Sequence, residues 1–219
     1  MKSNKLAETY TGNTAERYDE KRSASQKWHE ENLVIGSFLS QLPAKSRLLD
    51  VPVGTGRFIE LYKKHRITAT GVDISNDMIG VASAKATQLQ AKITLRQGSV
   101  LDLKFPDGAF DCAMCVRLMN WLRSEEMDQA IGQLSRVSKK HLILGIRSHG
   151  RKSNAFQRFM TLIRQKTSKS SRKWHAIIHD KAEIDATFQK HALKIVQQQT
   201  VPHGREGTDY IFYLLTKNN

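Results

Sequence analysis

The chain has 219 residues, of which 39% are hydrophobic and 26% charged, with a formal net charge of +14 and two cysteines. That length and apolar content suit one globular domain with a well-buried core, expected to span 1–219, and two thiols are too few for a metal cage. The longest apolar runs, such as 141–146, are too short to span a bilayer, and residues 1–6 lack the apolar stretch of a secretory signal, so a reducing cytoplasm is the expected location.

Helical periodicity is predicted over 14–20 and again over 26–42, where Trp28, Leu33, Ile35, Phe38 and Leu39 share one face and Pro43 stops the helix. A strand follows at 46–51, a helix at 55–65, a strand at 67–74 and a helix at 76–89. Residues 92–96 alternate in polarity and read as a short strand near a sheet edge, whereas 110–116 read as a fully buried strand. Cys112 and Cys115 fall in that strand, three apart and so on opposite faces. A helix is predicted over 124–137, opening on Ser124, Glu125 and Glu126 and closing near Arg136, then a strand over 141–146. A helix at 181–191 and strands at 193–199 and 209–216 complete the chain, the last two joined by turn residues over 202–207. Strands alternating with helices and ending in a hairpin define an α/β fold with a mostly parallel, doubly wound sheet.

The charge is concentrated. Between Gln129 and His179 there is no Asp or Glu but there are twelve Lys or Arg, so this stretch carries +12 of the +14. Phe156, Phe159, Met160 and Ile163 recur at helical spacing among these cations. Such a segment is either a solvated helix face or a surface for a polyanion or an anionic membrane.

The most informative span is Leu48-Leu49-Asp50-Val51-Pro52-Val53-Gly54-Thr55-Gly56-Arg57-Phe58. An apolar strand ends in an acid, turns on two glycines and enters an amphipathic segment, the construction that brings a ligand against backbone N–H groups. Glycine admits backbone angles closed to other residues and lets a ligand approach the chain, so a side chain at Gly56 is expected to abolish binding while leaving the fold intact. Asp73, seventeen residues past Gly56, closes the second strand. In a doubly wound sheet that acid lies beside the glycine turn, where it accepts bonds from ribose hydroxyls; otherwise it caps the helix beginning near Asn76.

Taken together, Asp50-x-x-x-Gly54-x-Gly56, Gly71-Val72-Asp73-Ile74-Ser75 followed by Met78, and Phe105-Pro106-Asp107-Gly108-Ala109-Phe110-Asp111 resemble the class I S-adenosylmethionine-dependent methyltransferases. The similarity is nearest to the small-molecule branch that includes ubiquinone and menaquinone biosynthesis enzymes, and it runs from about Ala15 onward. Ala15-Glu16-Arg17-Tyr18-Asp19 resembles that branch's N-terminal lid, here assigned to 1–42. The resemblance implies a seven-stranded sheet in the order 3-2-1-4-5-7-6, with the last strand antiparallel. It also implies that Asp50, Val51, Pro52, Gly54 and Gly56 form the cofactor turn, Asp50 orienting it or reaching the methionyl amine. Asp73 would hold the ribose, and Ile74, Met78, Gly98, Ser99 and Val100 would surround the adenine, with Val116 and Arg117 completing the cofactor set. Two positions depart from the family pattern: Pro52 replaces its first glycine, and Ser99 replaces its adenine-binding acid, with Asp102 nearby.

On the acceptor side, Tyr18, Asn120, Trp121, Arg147 and Arg151 are the candidates for substrate binding, with core packing the alternative for Trp121 and helix anchoring for Tyr18. His149 and Tyr18 are the candidate proton-transfer residues, although transfer from a sulfonium needs a base only for an acidic, neutral nucleophile. No metal is expected: His175 and His179 stand four apart without an evident third ligand. Asn120-Trp121 differs from the signature of amino-methylating DNA enzymes, and neither cysteine follows a proline, which disfavours cytosine-C5 chemistry. The expected activity is methyl transfer from S-adenosylmethionine to a small acceptor, anionic or membrane-associated. The alternatives are an RNA methyltransferase using Arg147 to Lys173 as its basic surface, and a cofactor-binding protein without catalysis. The segment 147–179 is expected to form a basic helical insertion covering the acceptor pocket.

Overall fold

The computed structural model describes residues 19–149, 176–202 and 208–218. A four-residue helix α1 (Glu20–Ser23) leads into α2 (Gln26–Leu39), where Ser25 caps the helix by accepting from the Trp28 N–H at 3.2 Å. The buried stripe of α2 differs from the expected one. Trp28, Glu31, Ile35 and Phe38 are buried and follow the helical repeat, while Leu33, one step off that stripe, is 73% exposed.

The strands are β1 (Arg47–Asp50), β2 (Thr68–Asp73), β3 (Ile93–Gln97), β4 (Phe110–Cys115), β5 (Ser138–His149), β6 (Leu193–Pro202) and β7 (Thr208–Lys217). They form one seven-stranded sheet in the order β3-β2-β1-β4-β5-β7-β6, as expected. The pairs β1–β2, β1–β4, β2–β3 and β4–β5 are parallel, and β7 runs antiparallel to both β5 and β6. The remaining helices are α3 (Ile59–Lys64), α4 (Asn76–Gln88), α5 (Ser124–Val137) and α6 (Lys181–Lys190).

Helices cover both faces. On one, α2, α3 and α4 bury Ile35, Phe38, Ile59, Tyr62 and Ala82 against Leu48, Cys112 and Met114. On the other, Met127, Ile131, Leu134 and Val137 of α5 and Phe188 of α6 pack on Ala113, Cys115, Leu142 and Leu144. Each such aliphatic side chain contributes about 1.5–3 kcal/mol by leaving water. The two cysteines thus lie on opposite faces, both fully buried.

Three boundaries differ from the predicted ones. Helix α3 starts at Ile59 rather than Thr55, because Gly54 and Gly56 hold left-handed backbone angles (φ 55° and 73°) that a helix cannot contain. At α5 the N-cap position falls on Arg123, whose N–H donates to the Glu126 carboxylate at 2.9 Å, and Ser124 is the first helical residue. Strand β5 extends to His149, pairing with β7 from His141↔Thr216 to His149↔Thr208. Residues 147–149 are therefore strand, and the basic helical insertion does not begin at 147 as expected; its bulk, 150–175, lies outside the described residues.

Two glycines give opposite predictions. At Gly145 of β5 an added Cβ would stand 2.7 Å from Cε1 and 3.1 Å from the hydroxyl of Tyr210, a ring held by its O–H donating to the Gly145 carbonyl at 3.0 Å. Gly145→Ala should lower the stability by about 1–3 kcal/mol. Gly80 sits inside α4 with nothing among the described residues within 4 Å of that position, so Gly80→Ala should raise it by about 0.5–1 kcal/mol. Urea unfolding of the two variants checks both signs.

Candidate functional site

Parallel pairing brings the carboxyl ends of β1, β2 and β4 to one rim, with Asp50 beside Gly71 of β2 and Met114 of β4. There the turn after β1 is tied to the end of β2. The Gly54 N–H donates to Asp73 Oδ2 at 2.9 Å, the Val53 N–H to the Val72 carbonyl at 2.9 Å, and the Ser75 N–H to Asp73 Oδ1 at 2.9 Å. Asp73 is only 5% exposed; burial raises its carboxyl above the usual range, and the N–H groups of Ser75, Gly54 and Ile74 work against that rise. Helix α4 is capped by Ser75, whose hydroxyl accepts from the Met78 N–H at 3.3 Å. Asp73 is therefore left to the turn, where its carboxylate accepts from backbone N–H groups rather than capping the helix.

The two glycines of the turn differ in what they face. At Gly56 an added Cβ would meet Ile59 Cδ1 at 2.4 Å and the Ala82 backbone at 3.2 Å, so its hydrogen marks where α4 presses on the turn. At Gly54 nothing among the described residues lies within 4 Å of that position, and the turn opens on a cradle that a side chain would fill.

Asp50, at the end of β1, is 1% exposed. The Tyr62 hydroxyl of α3 donates to its Oδ2 at 2.6 Å, while Oδ1 is buried without a hydrogen-bond partner among the described residues. Burial, against the Tyr62 bond and with help from the Asp73 charge, pushes this carboxyl up to about 7. An orphaned carboxylate oxygen beside an open glycine cradle suits a cationic group of a ligand.

Among the other cofactor candidates, Val51, Met78, Val100 and Val116 are buried, and Pro52, Ile74, Gly98 and Ser99 are half-buried. The Gly98 N–H donates to the Asp73 carbonyl at 2.9 Å, which places the Gly98–Ser99 turn beside the end of β2. The Ser99 hydroxyl accepts from the Leu101 N–H at 3.2 Å. Asp102, the nearby acid, is exposed and paired with Lys104 at 2.7 Å.

Beyond β4 the rim is held by buried polar groups. Arg117 has a left-handed backbone (φ 70°), its N–H donates to the Tyr210 hydroxyl at 2.7 Å, and its guanidinium pairs with the buried Glu31. The Asn120 amide donates to the carbonyls of Ile177 (2.8 Å) and Arg147 (3.2 Å) and accepts from the Arg147 N–H at 3.0 Å. Its side chain clasps two pieces of backbone, at Arg147 and Ile177, while the neighbouring Trp121 is half-buried. Arg147 Nε donates to the Thr208 hydroxyl at 3.0 Å, and His149 ends β5, half-buried opposite Thr208. His179 is 1% exposed, its Nε2 is 3.0 Å from the Met119 carbonyl, and its own carbonyl accepts from the Ser148 hydroxyl at 2.9 Å. It is a packed histidine, and among the described residues no group of three side chains is arranged to hold a metal. Tyr18, Arg151 and His175 lie outside the described residues. Glu31, Arg57, Tyr62 and Tyr210 belong to this site without a motif to announce them; the nearest signal is an acid on an otherwise apolar helical stripe.

Residues 48–141 match a family profile described as a methyltransferase domain. The chain is 34% identical to a phosphatidylethanolamine N-methyltransferase of Cereibacter sphaeroides over 43% of its own length and 46% of that protein. It is 30% identical to a demethylmenaquinone methyltransferase of Thermus thermophilus over 43% of each. The chain thus spans about half the length of the curated relatives it matches. The fold matches the crystal structure of magnesium protoporphyrin IX methyltransferase from Synechocystis with bound S-adenosylhomocysteine, with a TM-score of 0.76 at 15% identity over 99% of this chain and 100% of that one. No helix among the described residues is long and apolar enough to cross a membrane.

The geometry revises the expectation for Gly56: Gly56→Val should cost about 2–4 kcal/mol of stability, from overpacking against α4 plus the left-handed backbone, as well as binding. Gly54→Ala should cost only the backbone term, about 1–2 kcal/mol, while filling the cradle. Thermal melts and cofactor titration of the two variants separate these effects. Asp50 makes stability depend on pH. With its folded value raised, the stabilisation from its proton is complete below about pH 4 and lost as the pH rises through about 7. Asp50→Asn keeps an acceptor for Tyr62 but no titrating group, so from pH 5 to 8 its stability should gain on the native chain by about 1–3 kcal/mol, read from urea melts without cofactor.

Proposed function

We propose that this chain is a class I S-adenosylmethionine-dependent methyltransferase, transferring a methyl group from this cofactor to a small acceptor. The observation that carries the reading is the bond from the Gly54 amide to Asp73 beside an open cradle and the orphaned oxygen of Asp50. These residues fit the cofactor: Asp73 would accept from the ribose hydroxyls, Asp50 would meet the methionyl ammonium, and the Gly98–Ser99 turn with Ile74 and Met78 would enclose the adenine. Ser99 supplies a hydroxyl where an acid would bind more strongly.

The bound sulfonium supplies an activated methyl and a neutral leaving group, so the chain has chiefly to position the two reactants in line. An acceptor that carries a free lone pair or is already ionised needs no base. His149, on the same rim at the end of β5, is the residue for an acceptor that must lose a proton. Arg147, Trp121 and the Asn120 clasp border the acceptor side.

We assign the acceptor to an anionic or membrane-associated small molecule, to which the cations of the chain would be drawn. Relatives named for phosphatidylethanolamine and demethylmenaquinone support that choice. The experiment offers tritiated S-adenosylmethionine with phospholipid vesicles, a quinol extract, or total RNA. Label in the lipid or quinol fraction supports the reading, and label in RNA replaces it with the RNA methyltransferase. Cofactor binding without transfer to any fraction replaces it with a non-catalytic cofactor-binding protein. Asp73→Ala should weaken S-adenosylhomocysteine binding by about 2–3 kcal/mol; calorimetry showing unchanged affinity in a folded variant removes Asp73 from the site.

A further inference from the structure

Glu31 lies on the buried stripe of α2 with no solvent exposure, and two guanidiniums reach it from different parts of the rim. Arg57, which directly follows Gly56, donates from Nη1 to Glu31 Oε2 at 2.8 Å. Arg117, two residues beyond β4, donates from Nε to Oε2 at 3.2 Å and from Nη2 to Oε1. Such partners offset the cost of taking a carboxylate this deep out of water.

Both arginines are held in place. Arg57 also donates to Asn32 Oδ1 at 2.8 Å and to the Trp28 carbonyl at 2.7 Å, and its guanidinium stacks 3.6 Å from the Trp28 ring centroid. Arg117 has a backbone conformation that L-residues seldom adopt, fixed by the Tyr210 hydroxyl, and its guanidinium lies 5.0 Å from the Tyr210 ring centroid. A second tether runs parallel: Asp19 accepts from the Thr55 hydroxyl at 2.6 Å and pairs with Lys85 of α4. Helix α2 is thus fastened to the residue after the glycine turn and to Arg117 beyond β4 by one shared carboxylate.

We propose that Glu31 is a positioning residue that couples the cofactor turn to the acceptor side of the rim, so that a change at Arg117 is transmitted to the turn through Glu31 and Arg57. The proposal rests on the methyl-transfer reading for the meaning of the two sides. In mechanical terms, one anion holding two cations fixes their separation, and moving either arginine disturbs the bonds of the other.

A double-mutant cycle on the full chain tests this, with Glu31→Gln, Arg117→Met and both together, and S-adenosylhomocysteine affinity measured by calorimetry. With Glu31 present, Arg117→Met should weaken binding about threefold or more; in the Glu31→Gln background its effect should fall below about twofold. Equal losses in both backgrounds would mean that Arg117 meets the cofactor directly, and no loss in either would mean that Glu31 only anchors a helix; either result overturns the coupling. A second readout needs no ligand. With Trp121→Phe and Trp174→Phe, Trp28 is the remaining tryptophan of the three, and Arg117→Met should shift its emission only while Glu31 is intact. Unchanged emission overturns the proposal. If the native chain binds no S-adenosylhomocysteine, the methyl-transfer reading fails and the emission arm alone decides the coupling. Should Arg117→Met not fold, Arg117→Lys, which keeps the charge but not the fork, replaces it under the same criteria.

Discussion

The hydrogen bond from the Gly54 amide to the Asp73 carboxylate is the contact on which the rest of the rim depends. Parallel strands deliver all their carboxyl ends to one edge, and the loops leaving them carry N–H groups that no strand can satisfy. Asp73 takes two of these, from Gly54 and from Ser75, and so joins the exit of β1 to the entry of α4. The amides of Ser75, Gly54 and Ile74 work against the rise that burial imposes on this carboxyl. Without that carboxylate the Gly54 amide would have to find another acceptor.

The other half of the rim is organised by the same need to satisfy buried polar groups, with neutral partners instead of ions. Asn120 lies within a 3-10 turn after β4 and spends its amide on the backbone of Arg147 and Ile177. Ser148 and His179 add a second seam between β5 and residues 176–180. These bonds fix where the chain leaves β5 and where it returns toward α6. Whatever the intervening residues do, their two ends are pinned beside the site.

Much of this was legible in the residues. Two glycines after an apolar strand, with an acid closing the next strand, admit few arrangements, and the observed bond between Gly54 and Asp73 is the one that spacing demands. The strand order followed from the family resemblance, and the β3 edge from its alternating polarity. What stayed hidden has a common cause. Glu31 reads as a surface acid until Arg57 and Arg117 arrive from distant segments, and Leu33 reads as core until the helical stripe is fixed by what it packs against. The polar end of β5 lacks an apolar signal, because its strand character comes from pairing with β7. Asn120 was singled out for its position, yet its partners are backbone carbonyls, which no side-chain pattern encodes.

The two cysteines have a practical consequence. Cys112 and Cys115 are fully buried on opposite faces of the central strand β4, and burial raises both thiols well above their usual range. A thiol that is neither ionised nor reachable does not react with alkylating reagents. Each becomes labelled only when the helical layer on its own side lifts away, Cys112 with α2 to α4 and Cys115 with α5 and α6. The native chain therefore contains its own pair of opening gauges, one per face, which can be timed separately by mass spectrometry without adding a probe.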